Sequence, residues 1–191
     1  MTHIYKTNNK EIIELLKSGK TAVVPTDTIY GLVGSALNRQ TVERIYEIKD
    51  RNSLKPFIIL AGSYEILDDF GIVIDKYTRS ILDKIWPGKV SVIFHGVSQE
   101  FDYLTRGGDS LAIRIPDNSQ LRQVITETGP LVAPSANPEG KPPAVNIKEA
   151  EIYFGESVDF YVDGGELRGE PSRIIEIENG KIKEIRGRIN K

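Results

Sequence analysis

Hydrophobic and polar positions alternate between helical and extended spacing along the whole chain. Apolar residues at helical spacing predict five helices, which lie after a cap at Asn8 or Asn9, after a cap at Thr41, and over 75–86, 118–128 and 147–154. Short apolar runs predict strands over 21–24, 57–60, 90–94, 111–115, 131–133 and 158–162. This alternation predicts an α/β fold.

The last part of the chain carries the clearest antiparallel signal. Two extended runs, over 173–178 and 181–186, are separated by Asn179-Gly180. Asn-Gly favours a tight turn with positive φ at both central residues, and that turn matches the twist of a two-stranded hairpin. The predicted fold class is therefore mixed α/β with α+β-like character, because at least one strand pair is antiparallel.

The length of 191 residues suits one domain with a sizeable buried core. Hydrophobic residues make up 39% and charged residues 27%, which is typical of a globular protein rather than a disordered or fibrous one. The formal charge of −2 argues against a general attraction for nucleic acid. Any direct tRNA or RNA contact would therefore need a local basic patch.

Cysteine is absent, which removes disulfides, thiolate metal sites and cysteine nucleophiles together. Of the two histidines, we expect His3 to lie in a loose terminus and His95 to end a strand rather than to bind a ligand. A zinc site and a Ser-His-Asp hydrolase are therefore disfavoured. With no apolar leader and no run of about 20 apolar residues, we expect a cytoplasmic chain without a membrane partner.

Three cations, Lys49, Arg51 and Lys55, follow the second predicted helix. One interpretation is a solvated helix end, where the macrodipole favours cations. The other is a polyphosphate clamp, in which arginine binds phosphate oxygens bidentately and lysine supplies a point charge. The segment alone leaves both open, but the clamp predicts that Lys49 and Arg51 are exposed in a cleft.

Polar residues also accompany two of the predicted strands. Alternation puts Ala112 and Arg114 on one face of 111–115, which suits either an anion-binding cleft or a solvent-facing position. Ser135 and Asn137 follow the strand over 131–133, and form either a simple Asn-Pro turn or a hydrogen-bonding site for phosphate or ribose. A serine nucleophile would need a base, and the histidine count argues against one.

The segment Pro-Thr-Asp-Thr-Ile-Tyr-Gly-Leu at 25–32 ends a strand and has the residues to open a helix. Its threonines and Tyr30 either line a small polar pocket or cap that helix and continue into the core. The sequence contains no Gly-x-x-x-x-Gly-Lys-Ser/Thr loop, which excludes a Walker-type nucleotide site.

Taken in order, these segments resemble the YrdC family of threonylcarbamoyl-AMP synthases from about Lys10 to Arg188. The motifs are Pro-Thr-Asp-Thr-x-Tyr-Gly-Leu at 25–32, Lys-x-Arg at 49–51, Lys-Pro-Phe at 55–57, Arg-Ile-Pro at 114–116 and Pro-Ser-Ala-Asn at 134–137. The resemblance implies an open twisted sheet with helices around a large basic cavity. It also implies the short form of the family, with one catalytic domain over 1–191 and no second C-terminal domain.

The resemblance implies a nucleotidyl transfer. L-Threonine, bicarbonate and ATP would give L-threonylcarbamoyl-AMP and pyrophosphate, with Mg²⁺ arriving on ATP rather than in a protein metal site. A separate tRNA threonylcarbamoyl-transferase complex would then modify the adenosine beside the anticodon. A carbamate is already an anionic nucleophile, so its attack on the α-phosphorus needs no histidine base.

The resemblance also implies roles for individual residues. Catalytic roles would fall to Lys49 and Arg51. Nucleotide binding would fall to Arg51, Lys55, Ser110, Ser135, Asn137 and Arg186. Threonine binding would fall to Thr28, Arg114, Ala133 and Ser172. Three positions depart from the family pattern, since Leu60 replaces a histidine, Pro143 replaces a serine and Arg173 replaces a threonine.

Two other classes of function compete with this interpretation. An RNA-binding module without catalysis fits the basic segment, but regularly spaced aromatic residues for base stacking are lacking. A carbamoyltransferase-associated domain cut from a larger protein predicts missing termini, and the capped first helix and the closing hairpin argue against it.

Overall fold

Helices and strands alternate through the residues that the computed structural model describes, which are 3–6, 10–50, 54–178 and 180–187. The strands are β1 (His3–Tyr5), β2 (Ala22–Pro25), β3 (Tyr30–Ser35), β4 (Ile59–Leu60), β5 (Val90–His95), β6 (Ser110–Arg114), β7 (Leu131–Val132), β8 (Phe160–Val162), β9 (Arg173–Glu178) and β10 (Lys181–Arg186). The α-helices are α1 (Lys10–Lys17), α2 (Arg39–Lys49), α3 (Glu65–Asp69), α4 (Lys76–Ile85), α5 (Asp102–Thr105), α6 (Ser119–Thr128) and α7 (Ile147–Phe154). Two 3₁₀ turns lie at Gln99–Phe101 and Gly155–Ser157.

The described strands pair into one open sheet of order β1-β8-β2-β3-β7-β4-β6-β5-β9-β10. Four pairs are parallel, namely β1 with β8, β2 with β8, β4 with β6 and β5 with β9. The other five pairs are antiparallel. This arrangement confirms the predicted mixed α/β class and the predicted hairpin of β9 and β10.

Both faces of the sheet are covered by helices. In β2, Val23 points into one apolar cluster, while Ala22 and Val24 point into the other, as the twofold alternation of a strand requires. Helices α1 and α6 cover the second face with Ile12 and Leu121. Because both faces are buried, β2 and β3 carry continuous apolar runs rather than alternating ones.

Asparagine side chains begin three of the helices. Asn118 and Asn146 cap α6 and α7, at the start of the two helices predicted over 118–128 and 147–154. The predicted cap at Thr41 is wrong, because Asn38 Oδ1 accepts the bond from the Thr41 N–H at 3.1 Å. The hydroxyl of Thr41 instead donates to Gly19 O at 2.8 Å and ties α2 to the end of α1. The predicted caps at 8 and 9 lie outside the described residues.

Two predictions for the N-terminal third are wrong. His3 belongs to β1, where it pairs in parallel with Phe160 of β8, so it is not part of a loose end. Segment 25–32 opens an antiparallel strand rather than a helix, and Pro25 pairs with Tyr30 across a tight turn. The Thr26 hydroxyl accepts the N–H groups of Thr28 and Ile29 at 3.1 and 3.3 Å, which closes a turn instead of capping a helix.

Candidate functional site

Six separate segments meet at a cavity of about 150 Å³ beside the turn between β2 and β3. That volume is below the roughly 300–1,000 Å³ typical of ligand pockets, so it suits an amino acid better than a whole nucleotide. The cavity is also smaller than the large basic cavity that the resemblance implies. Six of the predicted site residues line it, namely Thr28, Arg114, Ala133, Ser135, Ser172 and Arg186.

The hydroxyl of Thr28 is oriented by its neighbour in the turn. Thr26 Oγ1 donates to Ile29 O at 2.7 Å and lies 2.9 Å from Thr28 Oγ1. A hydroxyl has one proton, and that of Thr26 goes to Ile29 O, so Thr28 Oγ1 receives no proton from Thr26 and keeps its lone pairs. Those lone pairs then make Thr28 Oγ1 an acceptor in the cavity wall, suited to a hydroxyl or ammonium group.

Arg114 lies in the cavity wall with its charge already paired. Nη1 contacts Asp27 Oδ1 at 2.5 Å, and Asp27 Oδ2 accepts the Asp117 N–H at 3.0 Å. The side chains of Arg114 and Asp27 are only 5% and 4% exposed, which overturns the solvent-facing interpretation of Arg114. Nε of Arg114 is buried and makes no hydrogen bond within the described part of the chain. Such an orphaned donor suits an anionic ligand.

Asp27 was missed by the sequence reasoning. Asp27 lies between Thr26 and Thr28 in the motif. The sequence indicated a role for it only through the general rule that a buried arginine is paired with an acid. Nothing local to segment 25–32 indicates that its partner would come from β6, because the two residues lie 87 positions apart.

Ser135 reaches the cavity because its segment pairs with β3. Gly31 and Ser135 form an isolated antiparallel bridge, and the Ala136 N–H donates to Tyr30 O at 2.9 Å. On the other side, the Ala133 N–H donates to Ile58 O at 2.9 Å. That bond occupies one of the two backbone groups of Ala133 that the resemblance assigns to threonine.

Lys49 is buried, with 2% of its surface exposed, so the predicted exposure in a cleft is wrong. Its Nζ donates to Ser135 O at 2.6 Å and to Asn137 O. The physical reason is that the segment after Ser135 folds over the C-terminal end of α2. The solvated helix end is equally wrong for this residue, since its ammonium is enclosed by backbone carbonyls.

Three other predicted nucleotide contacts lie outside the cavity wall as it is described. Asn137 is buried beside Lys49, and its Nδ2 donates to Lys141 O at 2.7 Å. Lys55 is 57% exposed and pairs with Glu139 at 3.0 Å. Ser110 begins β6 opposite His95. The predicted clamp residue Arg51 lies outside the described residues.

Segment 163–172 connects β8 to β9, passes beside Thr28 at Gly169 and lines the cavity at Pro171 and Ser172. The Tyr30 hydroxyl donates to Gly165 O at 2.7 Å and accepts the Gly164 N–H at 2.9 Å, and burial raises the pKa of Tyr30. A Cβ at Gly169 would lie 1.9 Å from Thr28 O, so the two backbones touch. The segment therefore depends on glycine where it passes the turn.

The segment delivers Ser172 to the cavity. Ser172 Oγ lies 2.9 Å from Ser91 Oγ, and Arg186 Nη2 donates to Ser172 O at 2.9 Å. Position 172 is thus held from β5 on one side and from β10 on the other. Ser172 and Arg186 are therefore in contact. The resemblance assigns Ser172 to threonine and Arg186 to ATP, two ligands that would have to lie side by side.

The histidine His95 ends β5, as predicted, and lies apart from the cavity wall. Its ring nitrogens contact Asp109 at 3.2 Å and Glu176 at 2.6 Å. Over the described ranges, no group of three or more histidine and acidic side chains is placed to hold a metal ion. Within the same ranges, no helix has the length and apolar character needed to cross a membrane.

The structure is that of an α/β protein with an open mixed sheet. Hydroxyl-bearing side chains and two arginines line a small cavity beside the turn between β2 and β3. The chain belongs to the Sua5, YciO and YrdC family, whose model, described as telomere recombination, matches residues 14–187. A putative threonylcarbamoyl-AMP synthase of Methanocaldococcus jannaschii is 33% identical over 96% of this chain and 90% of its own length. The threonylcarbamoyl-AMP synthase of Pseudoalteromonas translucida is also 33% identical, over 89% of this chain and 93% of its own.

Solved structures agree with this family. Pyrococcus abyssi Sua5 complexed with L-threonine superposes with a TM-score of 0.84 at 29% identity, over 92% of this chain and 54% of its own. The chain thus spans about half the length of that protein. Escherichia coli YciO, with a TM-score of 0.83 and 19% identity over 97% of this chain and 95% of its own, supports the fold.

Proposed function

We propose that this chain is a threonylcarbamoyl-AMP synthase, which makes L-threonylcarbamoyl-AMP from L-threonine, bicarbonate and ATP and releases pyrophosphate. The observation that carries the proposal is the cavity in which Thr28, Arg114 and Ser172 converge. Support comes from the family, from relatives named threonylcarbamoyl-AMP synthase, and from the likeness to a Sua5 complexed with L-threonine.

Threonine would occupy the cavity itself. Its carboxylate would bind the guanidinium of Arg114, and its hydroxyl would donate to the acceptor that Thr28 Oγ1 presents. Ser172 and the carbonyl of Ala133 would border the rest of the molecule. A volume of about 150 Å³ suits one amino acid better than a whole nucleotide.

ATP would extend from the cavity across its rim. Ser135 and Arg186 line the cavity wall and would contact the nucleotide where it meets threonine. Lys55, exposed next to the cavity residue Pro56, would approach the phosphates, and we assign the same region to Arg51 from the motif alone. Nucleotide contacts by Ser110 and Asn137 also rest on the motif alone.

Mg²⁺ would be held by the phosphates of ATP. The described cavity wall contains no carboxylate, and both oxygens of the nearby Asp27 already accept hydrogen bonds. Magnesium bound in this way keeps several waters and commonly uses substrate phosphates as ligands. Its contribution when bound would be to neutralise charge on the phosphates.

The chemistry would depend on positioning and charge. A carbamate oxygen attacks the α-phosphorus, an O–P bond forms, and the bond to the departing pyrophosphate breaks. The carbamate itself forms when the threonine amine, after losing its ammonium proton, condenses with bicarbonate and water leaves. Because the carbamate is then already anionic, its attack on the α-phosphorus needs no side chain to remove a proton. The described residues instead hold two anions together, and cations stabilise the charge that develops on the phosphoryl group. The product would pass to a tRNA threonylcarbamoyl-transferase complex, as the first step of tRNA modification beside the anticodon.

Mass spectrometry of the product tests the proposal directly. The purified chain is incubated with ATP, Mg²⁺, threonine and ¹³C-bicarbonate, and pyrophosphate release is followed in parallel. We expect a threonylcarbamoyl-AMP ion that gains one mass unit from the label and disappears when threonine is omitted. Pyrophosphate release that is independent of threonine and bicarbonate would contradict the proposal. RNA binding without any product would favour the non-catalytic alternative.

A further inference from the structure

The side chain of Lys49 is enclosed at the end of α2 and is not among the described residues that line the cavity. Lysine is among the residues least often buried, because removing an ammonium from water is costly unless its donors find acceptors. Here 2% of the residue is exposed, and Nζ donates to two main-chain carbonyls, those of Ser135 and Asn137. The ammonium is therefore part of the loop's internal structure.

The same loop is fastened to α2 at a further point. The Glu139 N–H donates to Lys49 O at 3.2 Å, so side chain and backbone of Lys49 each hold part of the loop. Within the loop, the Asn137 N–H donates to Ser135 O at 2.9 Å and Asn137 Nδ2 donates to Lys141 O at 2.7 Å. Segment 135–141 is thus ordered around one lysine.

Ser135 is the only residue of this lysine-bound loop that also lines the cavity as described. Its backbone is fixed on one side by the bridge to Gly31 and on the other by the bond from Lys49 Nζ to its carbonyl. A hydroxyl on a backbone held from both sides is positioned before any ligand arrives. This is the pre-organisation that a contact to developing charge requires.

From this geometry we propose that Lys49 is a positioning residue, which sets the place of the Ser135 hydroxyl through the loop carbonyls and does not itself touch ATP. The inference rests on the proposed function for the role of Ser135. It replaces the direct phosphate contact that the Lys-x-Arg motif suggests for this lysine. Lys55, six residues later and 57% exposed, is the lysine that remains accessible to phosphate.

Amine labelling distinguishes the two roles without requiring turnover. The folded chain is treated with an acetylating reagent, with and without ATP, and the modified lysines are identified by peptide mass spectrometry. We expect Lys49 to remain unmodified in both samples, whereas Lys55 is modified in the absence of ATP. Modification of Lys49 that ATP suppresses would overturn the proposal, because it would show an accessible amine at the nucleotide. This readout is independent of whether the chain makes threonylcarbamoyl-AMP.

A double-mutant cycle tests the coupling to Ser135. Lys49→Met and Ser135→Ala are made singly and together, and kcat/KM for ATP is measured after a thermal melt confirms folding. Each single change should lower kcat/KM roughly 10- to 100-fold, as expected for a hydrogen bond to a charged group. If Lys49 acts through Ser135, the double variant is little worse than either single one. Fully additive losses of kcat/KM would contradict the proposal. The control is the cycle of Lys55→Met with Ser135→Ala, for which we expect additive losses. Should Lys49→Met fail to fold, Lys49→Arg is used in the same cycle.

Discussion

The carboxylate of Asp27 accepts one hydrogen bond from Nη1 of Arg114 and another from the backbone N–H of Asp117. The turn after β2 is thereby tied to the end of β6, and the most deeply buried cation of the cavity wall brings no uncompensated charge. Its remaining donors, including the unpaired Nε, are the means by which it can recognise an anion. In the proposed site, recognition of an anion by Arg114 would therefore depend on Asp27, whose two oxygens are already hydrogen-bonded within the protein.

Removing either member of this pair should destabilise the protein. Asp27→Ala leaves a buried guanidinium without its acid, and Arg114→Ala leaves a buried carboxylate without its base. Each should lower the free energy of unfolding by about 3–5 kcal/mol, the usual cost of breaking a buried ion pair. Urea denaturation measures this directly.

The double variant Asp27→Ala/Arg114→Met is the internal control. A buried pair replaced by apolar groups is often close to neutral, so the double variant should be more stable than either single variant. It should nevertheless fail to bind threonine in calorimetry, because no guanidinium remains. Threonine affinity equal to that of the unaltered chain would contradict the assignment of Arg114 to the carboxylate.

A methyl group at Gly169 should disturb the threonine site. The Cβ would lie 1.9 Å from Thr28 O, which is backbone and cannot swing aside. We expect Gly169→Ala to displace segment 163–172, to destabilise the fold by about 1–3 kcal/mol, and to weaken threonine binding at least tenfold.

Gly165→Ala is the matched control on the same segment. Gly165 has φ of +75°, but a Cβ added there would meet no atom within 4 Å, so the substitution adds backbone strain without a clash. It should cost about 1–2 kcal/mol of stability and leave threonine affinity close to the starting value. Equal losses of affinity in both variants would show that the close approach to Thr28 is unimportant.

Local signals predicted most of the fold. The helices predicted over 118–128 and 147–154 and the hairpin of β9 and β10 depend on residues close to each other in sequence, and the structure contains all three. The prediction of a helix at segment 25–32 was wrong, because a threonine before an apolar run fits a helix cap and a turn equally well when only neighbouring residues are considered. The choice was decided by β7 and the Ser135 segment, against which β3 pairs.

Six of the residues to which the resemblance assigns ligand contacts line one cavity, and three of them, Thr28, Arg114 and Ser135, belong to the ordered motifs. The contacts that hold these residues in place were not predicted, and nothing near Lys49 indicates that the loop after Ser135 would bury it. Likewise, the partnership of Asp27 and Arg114 joins residues 87 positions apart. Burial and pairing of charges are properties of the assembled sheet, so a single sequence read along its length does not contain them directly.

The cluster around His95 should make stability depend on pH. Hydrogen bonds to Glu176 and, less strongly, Asp109 raise the pKa of His95, whereas bonds from Lys183 and His95 hold the pKa of Glu176 at about 2. Because the pKa of His95 is raised on folding, its stabilising effect is complete below the unfolded pKa of about 6.5 and is lost as the pH rises through the folded value. The effect of Glu176 is present above about 4.5 and is lost as the pH falls towards 2.

We therefore expect His95→Gln to reduce the free energy of unfolding more at pH 5.5 than at pH 8.5, as measured by urea denaturation. Lys183→Met is the control, since this ammonium bonds to Glu176 at 2.8 Å and stays charged at both pH values. Its loss should be similar at the two pH values. A His95→Gln effect that is equal at both would show that the histidine bonds contribute equally in either protonation state.

Arg186 reaches the cavity because β10 contains a bulge. Lys181 to Glu184 pair with β9 in one register, and the register then shifts so that Arg186 pairs with Ile174. Without the shift, Arg186 would oppose Arg173 and its side chain would lie on the other face, because a slip of one residue reverses every side chain. Ile174 and Arg186 both line the cavity, so the bulge at Ile185 places the Arg186 side chain on the face of the strand that borders the cavity.

Arg186→Ala should therefore weaken ATP binding while the protein remains folded. Arg186 Nη2 contributes one bond to Ser172 O on an exposed edge strand, so its loss should change stability by no more than about 1.5 kcal/mol. Loss of a charge-assisted contact to phosphate should lower ATP affinity roughly tenfold or more.

Calorimetric ATP titration gives the affinity of each variant, and a thermal melt gives its stability. The control is Lys181→Ala, an exposed position on the same strand, which should change neither quantity. Deletion of Ile185 removes the bulge but leaves Arg186 opposite Ile174 in an unbroken register, so this variant should keep more ATP affinity than Arg186→Ala does. If Arg186→Ala binds ATP normally, the hairpin has only a structural role, and the earlier loops must complete the nucleotide site alone.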